Sequence, residues 1–532
     1  MHRNVEPSDL VRRLCYALSI AQQSLELLGA EGYTNPELPD NTIRPEKIVA
    51  ETGLLLYVAS LAVPHAPASA HAPIHAQALA GAAVAHNQAE AHEKAAANNQ
   101  AAAYDKAAAH NQAAAHDKAT AHDQAAVYDQ AVAHPGVKQR IESVARLLIP
   151  LVRNQKILLE VCLQPALALD YAQAHIFLTR AGFPDPEFDA LLVAITNVQT
   201  TPLRERFPHR MLEQEWVGRL WKNEPSDNNP IRSISLGQSL DLLHGTRDDL
   251  YAFTHAMMYV CGFEGPSPPL PRQRAEILKE AECMLARCLD DQDYDLAAEI
   301  LLAWPLTKTP WSPAASFAFH VLRRVEDQVG FLPSGSTRVE QLKKLEGLER
   351  KKYFLGTSYH TIYVMGLLCA VSMRTAAAPA APTPEVDPDP ACLNRLLPYL
   401  SPQRQAAQNA QGTQNTQATQ AAQNGQAAQS GQAAQNGQAT QAAQATQPAQ
   451  PAQKVSHPHW LPEFEKLPIN DQSTLTTFLL DVALSRHVRN KNYSTVYDLL
   501  GIAMDHGIAD TPMAGHAAAL LDRLALIFQS GS

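Results

Sequence analysis

The sequence lacks several features that identify large classes of protein. Its seven cysteines are scattered, odd in number and never spaced as C-x-x-C, so we expect neither a disulfide framework nor a structural zinc site. Lysine and arginine number 43 against 53 acidic residues, for a net charge of −10. This balance argues against a nucleic-acid partner, because binding the phosphate backbone requires clustered basic side chains.

Long apolar runs and the common catalytic motifs are also missing. No stretch reaches about 18 uninterrupted apolar residues, so we expect no transmembrane helix and no membrane partner. The N-terminal segment MHRNVEPSDLVRRLCYAL carries charges where a signal peptide needs an apolar core, which favours a cytoplasmic location. The absence of GxGxxG, GxxxxGK[ST], GxSxG and HExxH patterns leaves nucleotide-dependent, serine-hydrolase and zincin functions unsupported.

Two stretches of biased composition interrupt the chain. Residues 64–135 repeat histidine, tyrosine or asparagine every six residues in an alanine-rich background. On a helix, six residues turn by about −120°, so successive histidines fall on three faces and cannot share a metal. We expect this insertion to be a solvated helix or disordered. Residues 376–456 contain a stretch from Gln405 to Gln453 with glutamine at every third position and almost no charge, which predicts a disordered linker.

The remaining segments follow helical periodicity. Residues 8–28, for example, place leucine and alanine side chains at helical spacing on one face, and no convincing alternating strand occurs. About fourteen such segments predict an all-α fold, arranged as an α/α toroid or a helical-solenoid-like array with two low-complexity insertions. The helical parts would be the N-terminal helices 1–63, a main domain 136–375 and C-terminal helices 457–532 that complete the toroid.

Several segments carry more than periodicity. These are RPEKIVAETGLLLY (44–57), DYAQAHIFLTRAGFPDPEFDALL (170–192), RERFPHRMLEQEW (204–216), DLYAFTHAMMYVCGF (249–263), DYDLAAEILLAWPL (293–306), VEDQVGFLP (325–333) and YHTIYVMGLLCA (359–370). Together they resemble a family of uncharacterised all-helical bacterial proteins found near specialised-metabolite genes. The resemblance implies a helical, toroid-like domain and no established activity.

The segment GTRDDLYAFTHAMMY holds the best candidate for a catalytic group of residues. Asp248, Tyr251 and His255 are spaced i, i+3 and i+7, which places them within about 60° on one helix face. Thr246 and Asp249 are spaced as in a capping box at the start of that helix. An acid, a phenol and an imidazole facing a cavity can orient one another for proton transfer or ligand binding. Alternatively, Asp248 stabilises the helix start and the other two are core residues.

His360 is the fourth catalytic candidate, at the start of an apolar helix that also carries Tyr363. His175 lies among apolar residues. A lone histidine beside an apolar face is more often a core residue than a ligand, so both have this alternative. If all three of His175, His255 and His360 met in space, or two of them met with a carboxylate, they would form a metal site.

Two further polar segments favour structural roles. The acidic run Asp290, Asp291, Asp293 and Asp295 matches neither an EF-hand nor a DDxxD motif, and instead predicts a turn with Asp293 or Asp295 as a helix cap. Arg210 and Glu213 are spaced i, i+3 and predict an ion pair at a helix start, although Glu213 could point inward.

Three functions are consistent with this sequence, which does not decide whether the protein is an enzyme and identifies no cofactor. The first is a tailoring enzyme of specialised metabolism that applies acid–base or metal-assisted chemistry to a small-molecule substrate in a central cavity. The second is a non-catalytic helical scaffold that binds a partner protein or peptide. The third is an isoprenoid cyclase-like toroid, for which 6% aromatic residues is a low content.

Overall fold

The computed structural model describes residues 7–31, 45–63, 134–198, 207–222, 235–264, 269–374, 390–400 and 459–530. Within these ranges every regular element is a helix and no strand occurs, so the all-α prediction is confirmed. The histidine-containing insertion 64–135 lies outside these ranges, except for the two residues that begin a helix at His134. The glutamine-rich stretch from 401 also lies outside them.

The chain divides into two compact units, residues 2–383 and residues 384–532. One correction concerns the predicted linker 376–456, since Pro390–Leu400 is a helix of the second unit. Its buried side chains Cys392, Leu393, Leu396 and Leu400 follow helical spacing, which the proline- and alanine-rich flanks concealed. A toroid completed by residues 457–532 stays a prediction.

The first unit contains fifteen α-helices and two 3-10 turns, Pro165–Leu167 and Ser235–Gly237, among the described residues. The helices are α1 (Pro7–Glu31), α2 (Pro45–Ala62), α3 (His134–Val152), α4 (Gln155–Leu163), α5 (Ala168–Tyr171), α6 (Gln173–Arg180), α7 (Pro186–Thr196), α8 (Pro208–Lys222), α9 (Arg247–Cys261), α10 (Arg274–Asp290), α11 (Tyr294–Leu301), α12 (Ala303–Leu306), α13 (Pro313–Val329), α14 (Val339–Leu342) and α15 (Gly347–Arg374).

Helix α15 is the centre of this unit and packs against α1, α2 and α11. The predicted apolar face of α1 is buried at Leu10, Leu14 and Leu18, as expected for an amphipathic helix on a core. The close crossing of α15 and α1 requires a glycine, because a Cβ at Gly366 would lie 2.5 Å from the Cβ of Ala17.

Helix α15 is also long and apolar enough to cross a membrane, by length and composition only. It is the one such helix among the described ranges, and 78% of its apolar window is buried inside the protein. A helix that is apolar on all sides is expected at the centre of a large helical domain, so the feature carries little weight for a membrane. The cytoplasmic location stays a prediction.

The described part of the second unit consists of six helices, one of which is largely buried. Its helices are α16 (Pro390–Leu400), α17 (Leu461–Glu465), α18 (Ile469–Ser473), α19 (Thr476–Arg489), α20 (Tyr493–Asp505) and α21 (Pro512–Ser530). Helix α19 contacts α16, α20 and α21 and buries Leu479, Leu480, Val482 and Leu484 completely.

Candidate active-site cavity

A cavity of about 280 Å³ lies inside the first unit. It is bordered by side chains of α2, α6, α8, α9, α11 and α15. One part of its wall is apolar and includes Leu54, Phe177, Leu302, Val364 and Leu367. The rest carries charged and hydrogen-bonding groups, so the cavity combines the two kinds of surface that binding sites for small molecules usually have.

Helix α9 carries two of the predicted residues into this cavity. The predicted capping box at its start is present, with the Thr246 side chain accepting from the Asp249 backbone and the Asp249 side chain accepting from the Thr246 backbone. From this fixed start, Tyr251 and His255 both reach the cavity wall. Their rings are in contact, with centroids 3.7 Å apart.

Asp248 does not join them, which corrects the expectation that all three residues share the cavity. Its side chain is exposed and is not among the groups that border the cavity. The angular estimate placed Asp248 on the same face but ignored its position along the helix. Seven residues separate it from His255 by about 10 Å along the axis, which leaves Asp248 at the solvent end of α9.

The imidazole of His255 is held in one orientation. Its Nδ1 lies 3.0 Å from the backbone carbonyl of Tyr251 and 3.3 Å from the Thr254 hydroxyl. The hydrogen bond to a carbonyl requires a proton on Nδ1, so in the neutral ring the lone pair is on Nε2. No described residue bonds to Nε2, and burial lowers the pKa of His255, which favours this neutral form.

Helix α11 supplies two carboxylates to the same region. Asp293 caps its first turn by accepting from the Leu296 backbone, as predicted for this acidic segment. Asp295 and Glu299 follow at i, i+4 spacing and therefore lie on one face. The Glu299 side chain is only 2% exposed, and its Oε2 lies 3.8 Å from His255 Nδ1.

His360 on α15 completes a cluster with three carboxylates. Its Nδ1 lies 2.9 Å from Oε2 of Glu51 on α2. Its Nε2 lies 3.5 Å from Oδ1 of Asp295 and 3.5 Å from Oε1 of Glu299. The ligand atoms of Asp295, Glu299 and His360 all lie within 4.8 Å of one another. His255 and His360 thus border one cavity and approach the same carboxylate.

Further side chains hold the outer atoms of this cluster. Arg247 Nη2 lies 3.1 Å from Oδ2 of Asp295, and the Thr254 hydroxyl donates to Oε2 of Glu299 at 2.6 Å. Lys47 lies 3.4 Å from the Oε1 of Glu51. Each carboxylate therefore has one oxygen facing the imidazole and the other fixed by a donor or a cation.

Two opposing effects set the pKa values in this cluster. Burial disfavours the charged form of each group, whereas a nearby opposite charge favours it. Burial disfavours a charged imidazole, but Asp295, Glu51 and Glu299 together raise the pKa of His360 well above its usual value. Burial also disfavours the Glu299 carboxylate, but the charged imidazole of His360 and the hydrogen bond from the Thr254 hydroxyl lower the pKa of Glu299. For Asp295, burial prevails and raises the pKa.

The opposite wall carries a second ion pair. Arg210 Nη1 donates to Oε2 of Glu213 at 2.6 Å, and Gln173 donates to Oε1 at 3.0 Å. The predicted i, i+3 pair is confirmed, and Glu213 also points inward to the cavity wall. Burial favours the neutral acid, but Arg210 and the hydrogen bonds lower the pKa of Glu213.

His175 belongs to a different place in the core. Its side chain is fully buried, with Nε2 2.8 Å from Asp189 Oδ1 and Nδ1 3.1 Å from Arg153 Nε. It stacks on Phe188 and does not border the cavity. His175 is therefore a core residue, as the alternative for a lone histidine predicts. His255 and His360, in contrast, both border the cavity and approach Glu299.

Sequence reasoning missed Glu51, Asp295 and Glu299 as members of the site. The acidic run predicts Asp293 or Asp295 as a helix cap, and no motif singles out Glu51 or Glu299. A usable signal was present, because Glu299 lies between Ala297, Ala298 and Ile300 in a helix that is apolar on nearly all sides. A glutamate in such a place is buried and must have partners.

Comparison with known proteins adds a family match without an activity. Residues 124–370 match the family model described as a domain of unknown function, DUF6895, in agreement with the expected resemblance to uncharacterised proteins. The match includes Tyr251, His255, Asp295, Glu299 and His360, whereas α1 and α2 lie before it. No curated protein and no solved structure matches the chain.

Proposed function

We propose that the first unit is an enzyme that binds a small organic molecule in the cavity and acts on it by proton transfer, with His255 as the general base. The observation that supports this proposal most strongly is the fixed imidazole of His255 at the wall of the cavity. General base catalysis needs an unprotonated nitrogen within reach of the substrate. The bond from Nδ1 to the Tyr251 carbonyl leaves Nε2 for that task.

Tyr251 supports the same chemistry as a hydrogen-bond donor. Burial is the main reason that the pKa of Tyr251 is raised, so its phenol keeps its proton at neutral pH. A protonated phenol next to the base can bind an oxygen atom of the substrate and stabilise charge that develops there. The catalytic assignment of Tyr251 and His255 therefore stands as a proposal, with Asp248 no longer part of it.

The lining of the cavity restricts the class of substrate. A volume of about 280 Å³ is just below the range of about 300–1,000 Å³ that is usual for ligand pockets. Only five of the nineteen lining residues are aromatic, and charged groups such as Glu213 and Glu299 are among the others. A small molecule with an apolar part and a hydroxyl, carbonyl or amide group fits this lining better than an isoprenoid chain.

The resemblance to proteins found near specialised-metabolite genes adds one element to the proposal. A tailoring step on a natural product acts on compact polar functional groups. The polar part of the cavity lining suits groups of this kind. On this proposal, the binding partner of the first unit is its small-molecule substrate.

The test is conversion of a panel of small metabolites carrying hydroxyl, carbonyl or amide groups, followed by mass spectrometry. We expect the full-length protein to convert a member of the panel and His255→Gln to convert it at least about 100-fold more slowly, the lower range for loss of a general base. Ala50→Phe adds an aromatic ring to the cavity lining, replaces no polar side chain and should also stop conversion.

The control is His244→Gln, because His244 is half-exposed on the surface and outside the cavity. This variant should keep the full rate. Equal rates for His255→Gln and the unchanged protein would disprove the proposal. A failure of the unchanged protein to convert any member of the panel would favour a non-catalytic scaffold.

A further inference from the structure

The cluster of His360 with carboxylates has the geometry of a metal site. Oxygens of Asp295 and Glu299 each lie 3.5 Å from His360 Nε2, too far for strong hydrogen bonds to the imidazole. Ligand atoms about 2.1 Å from a tetrahedrally coordinated ion are separated by about 3.4 Å. We infer that Asp295, Glu299 and His360 bind one divalent transition-metal ion of the manganese, iron or zinc class.

The surroundings of these three residues support binding of an ion independently of the distances. Metal-binding histidines usually donate their second nitrogen to a carboxylate, which fixes the ring. Glu51 has this position relative to His360 Nδ1, at 2.9 Å. The outer oxygens of Asp295 and Glu299 are fixed in the same way by Arg247 and Thr254.

A second observation comes from His255, which is 7% exposed. Its Nε2 has no hydrogen-bond partner among the residues that the structure describes, and its ring borders the cavity with Nδ1 3.8 Å from Oε2 of Glu299. A ring nitrogen without a protein partner at a cavity wall is available to bond to a ligand or to water in the cavity. An ion bound beside Glu299 would hold such a ligand or water in its open coordination positions.

The donor set selects the class of metal. Two carboxylates balance the charge of a divalent ion, and one imidazole nitrogen favours manganese, iron or zinc over magnesium and calcium, which prefer oxygen ligands only. Three protein ligands leave open positions, as in catalytic rather than structural sites. The inference deepens the proposed function, since the ion would orient the substrate or a water next to His255.

Binding of Mn²⁺ to the full-length protein tests the inference, after removal of metals with a chelator and dialysis. Free and bound Mn²⁺ are measured by electron paramagnetic resonance. Mn²⁺ is a suitable probe because isolated imidazoles bind it weakly, and the sequence contains 21 histidines. We expect the unchanged protein to bind one equivalent of Mn²⁺ more than Asp295→Asn and Glu299→Gln, with Zn²⁺ competing for it and Mg²⁺ not.

The matched control is Glu280→Gln. Glu280 is also a buried helical glutamate with a cationic partner, since Arg272 donates to it at 2.8 and 2.7 Å. This variant should still bind the additional equivalent of Mn²⁺. That result would show that binding depends on the proposed ligands and not on buried carboxylates in general. Thr254→Val removes the hydroxyl that holds the outer oxygen of Glu299 but no proposed ligand, and should weaken binding about 10- to 100-fold. Circular dichroism checks that each variant is folded.

Equal Mn²⁺ binding by Asp295→Asn and the unchanged protein, with both folded, would overturn the inference. Binding of Mg²⁺ or Ca²⁺ in preference to Mn²⁺ would overturn the assigned metal class. Conversion that depends on His255 in metal-free protein would disprove a role of the ion in catalysis and leave the proposed function intact. One bound equivalent of Mn²⁺ without conversion of any substrate would support the metal site and count against the proposed function.

Discussion

Replacing His360 by glutamine should destabilise the metal-free first unit by about 3 kcal/mol at pH 7. The substitution removes a cation that faces three carboxylates at 2.9, 3.5 and 3.5 Å. Loss of one partner of a buried ion pair costs about 3–5 kcal/mol, because the remaining charge is uncompensated. Glu51 and Asp295 keep Lys47 and Arg247 as neighbours, so the lower end of that range applies.

The assay is urea unfolding followed by tryptophan fluorescence in a Trp460→Phe background with a chelator present. The four remaining tryptophans, Trp216, Trp221, Trp304 and Trp311, all belong to the first unit. The expected loss of about 3 kcal/mol corresponds to about 150-fold in the unfolding equilibrium constant, since each 1.4 kcal/mol is a factor of about 10.

A second substitution tests the cause of this loss. Glu299 is the carboxylate left without a compensating cation by His360→Gln, so adding Glu299→Gln to it should restore at least about 1 kcal/mol. A loss below about 0.5 kcal/mol for His360→Gln, or no recovery in the double variant, would refute the reasoning.

Three further predictions use the same fluorescence signal. Arg13→Met should lower the free energy of unfolding by about 3–5 kcal/mol, because it leaves the buried carboxylate of Glu326 without the guanidinium that it contacts. A loss below about 1 kcal/mol would contradict this reasoning. Gly366→Ala should cost about 1–3 kcal/mol through overpacking against α1, whereas Gly218→Ala, with ordinary contacts, should be neutral or stabilising. The pKa of Glu213 is lowered on folding, so its contribution is present above the unfolded pKa of about 4.5 and is lost as pH falls through the folded pKa. Glu213→Gln should therefore make stability less sensitive to acid, and an unchanged pH profile would contradict the assignment.

Local features of this protein could be predicted from its sequence to a large extent. The capping box of Thr246 and Asp249, the cap at Asp293 and the apolar face of α1 depend on residues within one or two helical turns. Tyr251 and His255 were placed on one face by the same local geometry. The error at Asp248 arose because angular position alone does not tell how far along a helix the cavity extends.

The candidate site itself could not be assembled from local patterns. Glu51 and His360 are separated by 309 residues and meet only because α2 packs on α15. The sequence gives the apolar faces of these helices but not their relative rotation, which decides whether a glutamate faces solvent or another helix. For the same reason Asp295 resembled an ordinary acidic residue of a first helical turn.

Pulsed electron paramagnetic resonance of the Mn²⁺-loaded protein tests the central claim most directly. If the ion is held by Asp295, Glu299 and His360, the spectrum will show coupling of the metal to one imidazole nitrogen. His360→Gln will then abolish that coupling in folded protein, while His175→Gln will retain it. Persistence of the nitrogen coupling in His360→Gln, or an ion coordinated by oxygen alone in the unchanged protein, would contradict the account.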